Sequence, residues 1–105
     1  MIDLQLIAEK LEFDLEDVEM LLGMFMDDAF EALSLTDEAI KTEDFEQMKN
    51  IAHGIKGSAS NLMLEEITQQ AYEIEQLAKG ENSADYTTLF HTLKNQIKLL
   101  QSVEV

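Results

Sequence analysis

The chain has 105 residues, enough for one domain and too few for two ordinary ones, and a chain of this size buries about two-thirds of its unfolded surface. Hydrophobic residues make up 46%, too many for a disordered chain, while 22 Asp and Glu against 7 Lys and no Arg give a net charge of −15. That sign excludes nucleic acid and anionic membrane as partners, because both require a cationic footprint. The absence of Cys excludes disulfides and thiol chemistry, and the absence of Pro with only 4 Gly favours helices over a turn-rich β-sandwich. No apolar run is long enough to span a membrane. The opening residues, with Asp3 and no basic stretch before an apolar core, do not read as a secretory signal, so the expectation is a cytoplasmic acidic helical domain. Met1 and the length suit a free-standing protein, with the first domain of a longer chain as the alternative.

In chain order, Ile2, Leu4, Ile7, Ala8 and Leu11 predict a short first helix. Leu15, Val18, Leu22, Phe25, Ala29, Leu33, Thr36 and Ile40 then keep a helical interval. Asp14 is placed to cap this segment and Phe13 to staple onto Val18. It reads either as one helix about 40 Å long at 1.5 Å per residue or as two, with a break near Ser34–Thr36 and Thr36 as the new cap. Behind Thr42 as a candidate cap, Phe45, Met48, Ala52, Ile55, Ala59 and Leu62 form the next stripe. Leu64, Ile67, Ala71, Ile74 and Ala78 follow, with Glu65 and Glu66 in the first turn and Lys79 then Gly80 closing the helix. The last stripe is Tyr86, Leu89, Leu93, Ile97 and Leu100, capped by Asn82 or Ser83. No segment alternates with period two. The prediction is an all-α protein, residues 1–105 forming one antiparallel up-down four-helix bundle with a short additional N-terminal helix.

The charge is placed unevenly. Residues 1–46 carry a balance of −13 and residues 65–105 a balance of −4, whereas residues 47–64 hold no acid and two lysines, Lys49 and Lys56. His53 lies in this cationic island. At about 100° per residue it points about 130° away from the stripe centred on Ala52, Ile55 and Ala59. Its neighbours on that outer face are Lys49, Asn50, Lys56, Gly57 and Ser60, with Gly54 and Ser58 close by. Two glycines inside a helix cost about 1 kcal/mol each relative to Ala, a cost that suits a flat face which another protein approaches closely. A neutral imidazole is a nucleophile near pH 7, and a phosphoryl group placed on it needs nearby cations, which Lys56 and Lys49 are spaced to supply.

An exposed histidine on a helix is ordinarily a solvated residue, and His91 reads that way, facing away from its stripe with no patch of small residues. Most of the six methionines read as core filler, but Met20 and Met24 fall off the stripe of their helix and are candidates for a docking surface. A carboxylate-bridged metal site requires Glu three residues before a His, whereas Asn50 and Thr88 stand there, so no metal site is expected.

The segment running from His53 through Gly54, Ile55, Lys56, Gly57, Ser58, Ala59, Ser60 and Asn61 to Leu62 resembles the signature of histidine-containing phosphotransfer (HPt) domains: His, any residue, an aliphatic, Lys, Gly, then small residues and an aliphatic. The stretch from Leu64 to Lys79, with Ala71, Ile74 and Glu75, is similar to the family's next helix, and the long acidic helix with Phe25 is also typical. The resemblance implies a four-helix bundle with His53 as phosphoacceptor, Lys56 beside the phosphoryl group, and Gly57 and Ser58 as small positions on the docking face. It implies response-regulator receiver domains as partners, with a hybrid sensor histidine kinase upstream and most of the catalytic apparatus, including a divalent metal, on the receiver. Met63 departs from the pattern, standing where the family usually has Gly, which puts the shape of that turn in question. Glu75 is given no phosphate role, because a carboxylate repels phosphate.

No Gly-rich nucleotide loop is present, so the expectation is a monomeric phosphocarrier without cofactor that does not phosphorylate itself from ATP. A histidine-kinase dimerisation domain fits poorly, since there an acid follows the His and a Pro lies a few residues on, whereas here Gly54 follows and Pro is absent. A helical adaptor that binds a signalling partner without chemistry is the alternative.

Overall fold

The computed structural model describes residues 3–102, and these contain helices and no strand. Ile2, expected on the first apolar stripe, lies outside the described residues. Helix α1 spans Leu4–Leu11, with Asp3 Oδ1 accepting the Leu6 N–H at 3.1 Å, and it buries Leu4, Ile7 and Ala8. Helix α2 spans Leu15–Leu33 and buries Val18, Leu22, Phe25, Ala29 and Leu33. Helix α3 spans Thr36–Lys41, α4 Phe45–Asn61, α5 Glu65–Lys79 and α6 Tyr86–Lys98, and a short 3₁₀ turn follows at Leu99–Ser102.

The long acidic segment breaks. Ser34 Oγ donates to the Glu31 carbonyl and Thr36 Oγ1 to the Leu33 carbonyl, so hydroxyls take up carbonyls of the last turn of α2. Leu35 N–H reaches back only three residues, to Ala32, before α3 resumes. The two helices α2 and α3 thus serve as one side of the bundle. Helix α2 packs on α1, α4 and α6, α4 most extensively on α5, and α5 on α6, so the four sides close around one core. Met48, Ile74, Leu93, Ile97 and Val18 are its largest fully enclosed side chains, each worth about 1.5–3 kcal/mol of burial.

Buried alanines line the α4 and α5 stripes, Ala52 and Ala59 on one and Ala71 and Ala78 on the other. Small side chains let two helix backbones approach closely. This matters for function, because it shortens the reach between side chains on the shared outer edge of α4 and α5.

Several local expectations are corrected. The N-cap of α4 is Asp44, whose Oδ1 accepts the Gln47 N–H at 3.0 Å, and not Thr42, which instead ends α3 and donates to the Glu38 carbonyl. The N-cap of α6 is Asp85, which accepts both the N–H and the hydroxyl of Thr88, and not Asn82 or Ser83. Asp wins in both places because its carboxylate sits three residues before a free N–H, close to the positive end of the helix. Asp14 does precede α2, but its side chain makes no capping bond, and Phe13 stays largely exposed in place of a full staple. On α6 the expected Tyr86, Leu93 and Ile97 are buried, and Leu100 just beyond it; Phe90 joins them, while Leu89 is only partly buried.

The ends of α1, α3, α4 and α5 share one device. Glu12, Glu43, Met63 and Glu81 have φ between 52° and 60°, and after each the next N–H bonds five residues back: Phe13 to Ala8, Asp44 to Ala39, Leu64 to Ala59 and Asn82 to Leu77. This is the Schellman ending, which normally uses Gly at the left-handed position. Gly80 is therefore not the left-handed residue of α5: its φ is −84°, and Glu81 takes the turn. Met63 takes the left-handed position here, with φ 60°, so this turn closes without the Gly that such a position ordinarily favours.

Candidate functional site

Helix α4 places His53 outward because Ala52, Ile55 and Ala59 point inward, and the imidazole is 67% exposed. Gly54, Gly57, Ser58, Ser60 and Asn50 are exposed around it. A Cβ added at Gly54 or Gly57 would meet no atom within 4 Å, so nothing inside the molecule requires these glycines. The face they leave flat is open to solvent.

The site draws its chemistry from α5 as well as α4. Glu75 lies under the ring. His53 Nδ1 is 2.5 Å from Glu75 Oε2, and Lys56 Nζ donates to Glu75 Oε1 at 2.6 Å, so one carboxylate bridges the imidazole and the ammonium. Glu75 is buried, 8% exposed. Burial pushes its carboxyl up, but the hydrogen bonds and charges of Lys56 and His53 together outweigh that and hold it below its ordinary value of 4.5. It is ionised near neutral pH and has no proton to give. The hydrogen bond therefore requires the proton on Nδ1, and in the neutral imidazole this leaves the Nε2 lone pair unused.

Lys56 has a second neighbour. Its Nζ lies 5.6 Å from the centre of the Tyr72 ring, one turn before Glu75 on α5. Tyr72 is 44% exposed, so this edge of the site presents an aromatic surface next to the ammonium.

Among the residues expected from sequence, the structure brings His53 and Lys56 together and leaves Gly54, Gly57, Ser58, Ser60 and Asn50 as the surrounding surface. Lys49 is directed elsewhere, its ammonium paired with Glu46 at 3.1 Å. Met20 and Met24 are indeed exposed on α2, and His91 is exposed on α6.

Glu75 corrects the expectation of a face without acids. The window of residues 47–64 is free of acid, yet a carboxylate enters from the neighbouring helix. The sequence carried a usable signal. Position 75 is one turn from Ala71 and from Ala78, on the apolar stripe of α5, and an acid there must find partners once buried. Tyr72 carried no such signal, since an exposed aromatic on a helix is ordinary.

Among the described residues no group of three or more His, Cys, Asp and Glu is arranged to hold a metal ion, and no helix is long and apolar enough to cross a membrane. The family model described as Hpt domain matches residues 20–103. Comparisons with curated proteins and with solved structures give no match.

Proposed function

Because the chain belongs to the Hpt domain family, whose role is histidine phosphotransfer in phosphorelays, we propose that His53 takes a phosphoryl group from an aspartyl phosphate on one response-regulator receiver domain and gives it to another. The carrying observation is the ring itself: exposed, with Nδ1 held by a buried carboxylate and Nε2 left for attack. The Nε2 lone pair approaches phosphorus in line, the N–P bond forms as the P–O bond to the aspartate breaks, and the carboxylate leaves with the bonding pair. Lys56 stands one turn along α4; its ammonium is bound to Glu75 but has three N–H donors, which leaves donors for the phosphoryl oxygens, and Lys49 is a more distant reserve paired with Glu46. Gly54, Gly57, Ser58, Ser60 and Asn50 form the floor on which the receiver rests.

In this reading residues 1–105 are a single domain, monomeric and cytoplasmic, and a hybrid sensor histidine kinase supplies the relay. It is a phosphocarrier without an ATP site and without a cofactor of its own.

The test is transfer from a receiver domain charged with labelled acetyl phosphate. The expected product is acid-labile, base-stable phosphate on His53. Absence of label, or equal labelling of a His53→Gln variant, overturns the proposal.

A further inference from the structure

Attack through Nε2 leaves both ring nitrogens substituted. The phosphoryl group sits on Nε2, the original proton remains on Nδ1, and the ring carries a positive charge. In that form the phosphoryl group leaves a neutral imidazole behind, which is a good leaving group. Once Nδ1 loses its proton, departure has to generate an imidazolate, which is a poor one. The proton on Nδ1 therefore decides whether the stored phosphoryl group is transferable.

Resting on the phosphotransfer reading through His53, we propose that Glu75 is a positioning residue that keeps the Nδ1 proton on phosphorylated His53, so that the phosphoryl group stays transferable at neutral and alkaline pH. The contact is 2.5 Å long and its acceptor is buried, so water competes poorly for the proton. A fixed negative charge against a ring nitrogen favours the charged ring. The other titratable groups nearby along these helices are Glu46, Lys49 and Lys56 on α4 and, one turn either side of Glu75 in sequence, Tyr72 and Lys79 on α5. Lys56 opposes a positive ring, but it is bound to Oε1 of the same carboxylate and Lys49 is bound to Glu46. Helices α2 and α3 also pack on α4, and among the described residues no hydrogen bond or ion pair joins either of them to the ring. The step balances without a further reagent. The N–P bond breaks, its pair returns to Nε2, phosphorus gains an oxygen from the receiver aspartate or from water, and the Nδ1 proton does not move.

The experiment charges the purified protein with phosphoramidate, in a His91→Gln background so that one phosphohistidine is read. Its decay is followed by phosphorus NMR from about pH 6 to about pH 10, alone and with a receiver added. The parent is expected to show a nearly flat profile to about pH 9, whereas Glu75→Gln loses roughly tenfold in rate per unit once its unsupported ring deprotonates. Identical profiles overturn the inference. A melting curve checks that Glu75→Gln is folded. Should it not fold, Glu75→Asp is decisive: the shorter side chain keeps the charge but draws it back from Nδ1, so the rate must begin to fall at lower pH than in the parent, and a profile identical to the parent's overturns the inference. Phosphoramidate requires no receiver, so failure of receiver transfer with a flat parent profile sinks the phosphorelay reading and leaves the Glu75 inference standing.

Discussion

His53 and His91 are both exposed imidazoles on bundle helices, and their surroundings differ in nearly every respect. His53 has a buried carboxylate against Nδ1, an ammonium on the same carboxylate, and glycines one and four residues further on. His91 has Thr88, Lys94 and Asn95 one turn away on its own helix, and no hydrogen bond or ion pair holds its ring among the described residues. Exposure gives either ring access to a partner. Only the first is held in one tautomer and one orientation, and the group that does so belongs to the next helix.

The sharpest break of this comparison is substitution of each ring in turn. His53→Gln should lower phosphoryl acceptance from a charged receiver by at least about a hundredfold, while His91→Gln should leave it unchanged, as read by label per mole of protein. Equal losses would mean that the surroundings do not matter. Next, Lys56→Ala should slow transfer roughly tenfold by removing a charge-assisted contact while far-UV circular dichroism stays the same. Unchanged kinetics would remove Lys56 from the mechanism.

Gly57→Gln tests the flat face. It should weaken receiver binding about tenfold, yet raise stability by up to about 1 kcal/mol, because Gly is a poor helix former and the added side chain meets nothing inside the molecule. A fall in melting temperature would place Gly57 in the packing. A fourth expectation concerns acid. The Glu75 carboxyl is held below 4.5 in the folded state, so its contribution to stability is complete above that pH and is lost as pH falls through and below it. The stability difference between the parent and Glu75→Gln, measured in urea, should therefore shift against the parent between about pH 6 and about pH 3. The smallest effects lie away from both rings. Glu43→Gly and Glu81→Gly should each stabilise by about 0.5–1 kcal/mol in the same melts, by relieving left-handed backbone at exposed positions. Met63→Gly should gain less, since Met63 also packs on the core.

The helices and their inward faces were legible because apolar spacing is a direct image of burial: Ile67, Ala71, Ile74 and Ala78 lie where a period of 3.6 puts them. Helix ends were less so. Asp44 and Asp85 had competitors in Thr42, Asn82 and Ser83, and which oxygen reaches the free N–H depends on backbone angles that composition does not encode. The left-handed endings at Glu12, Glu43 and Glu81 were invisible, because Glu is a rare choice there and tertiary packing overrides its reluctance. His53 and Lys56 could be paired from one helix by counting residues. Glu75 required knowing how α4 and α5 align, 22 residues apart in sequence, although an acid among alanines and isoleucines marked the position.

The carboxylate shared between residues 53 and 56 makes the two sites one electrical unit. Removing the imidazole unties half of Glu75 and changes what the lysine is bound to, so a His53 replacement intended as a silent blank also redraws the charge that a visiting protein feels. Binding strengths measured with such a blank will report the loss of a ring and the reassignment of an ammonium together, and a Gln at residue 53, whose amide can still donate toward Oε2, disturbs this arrangement less than Ala.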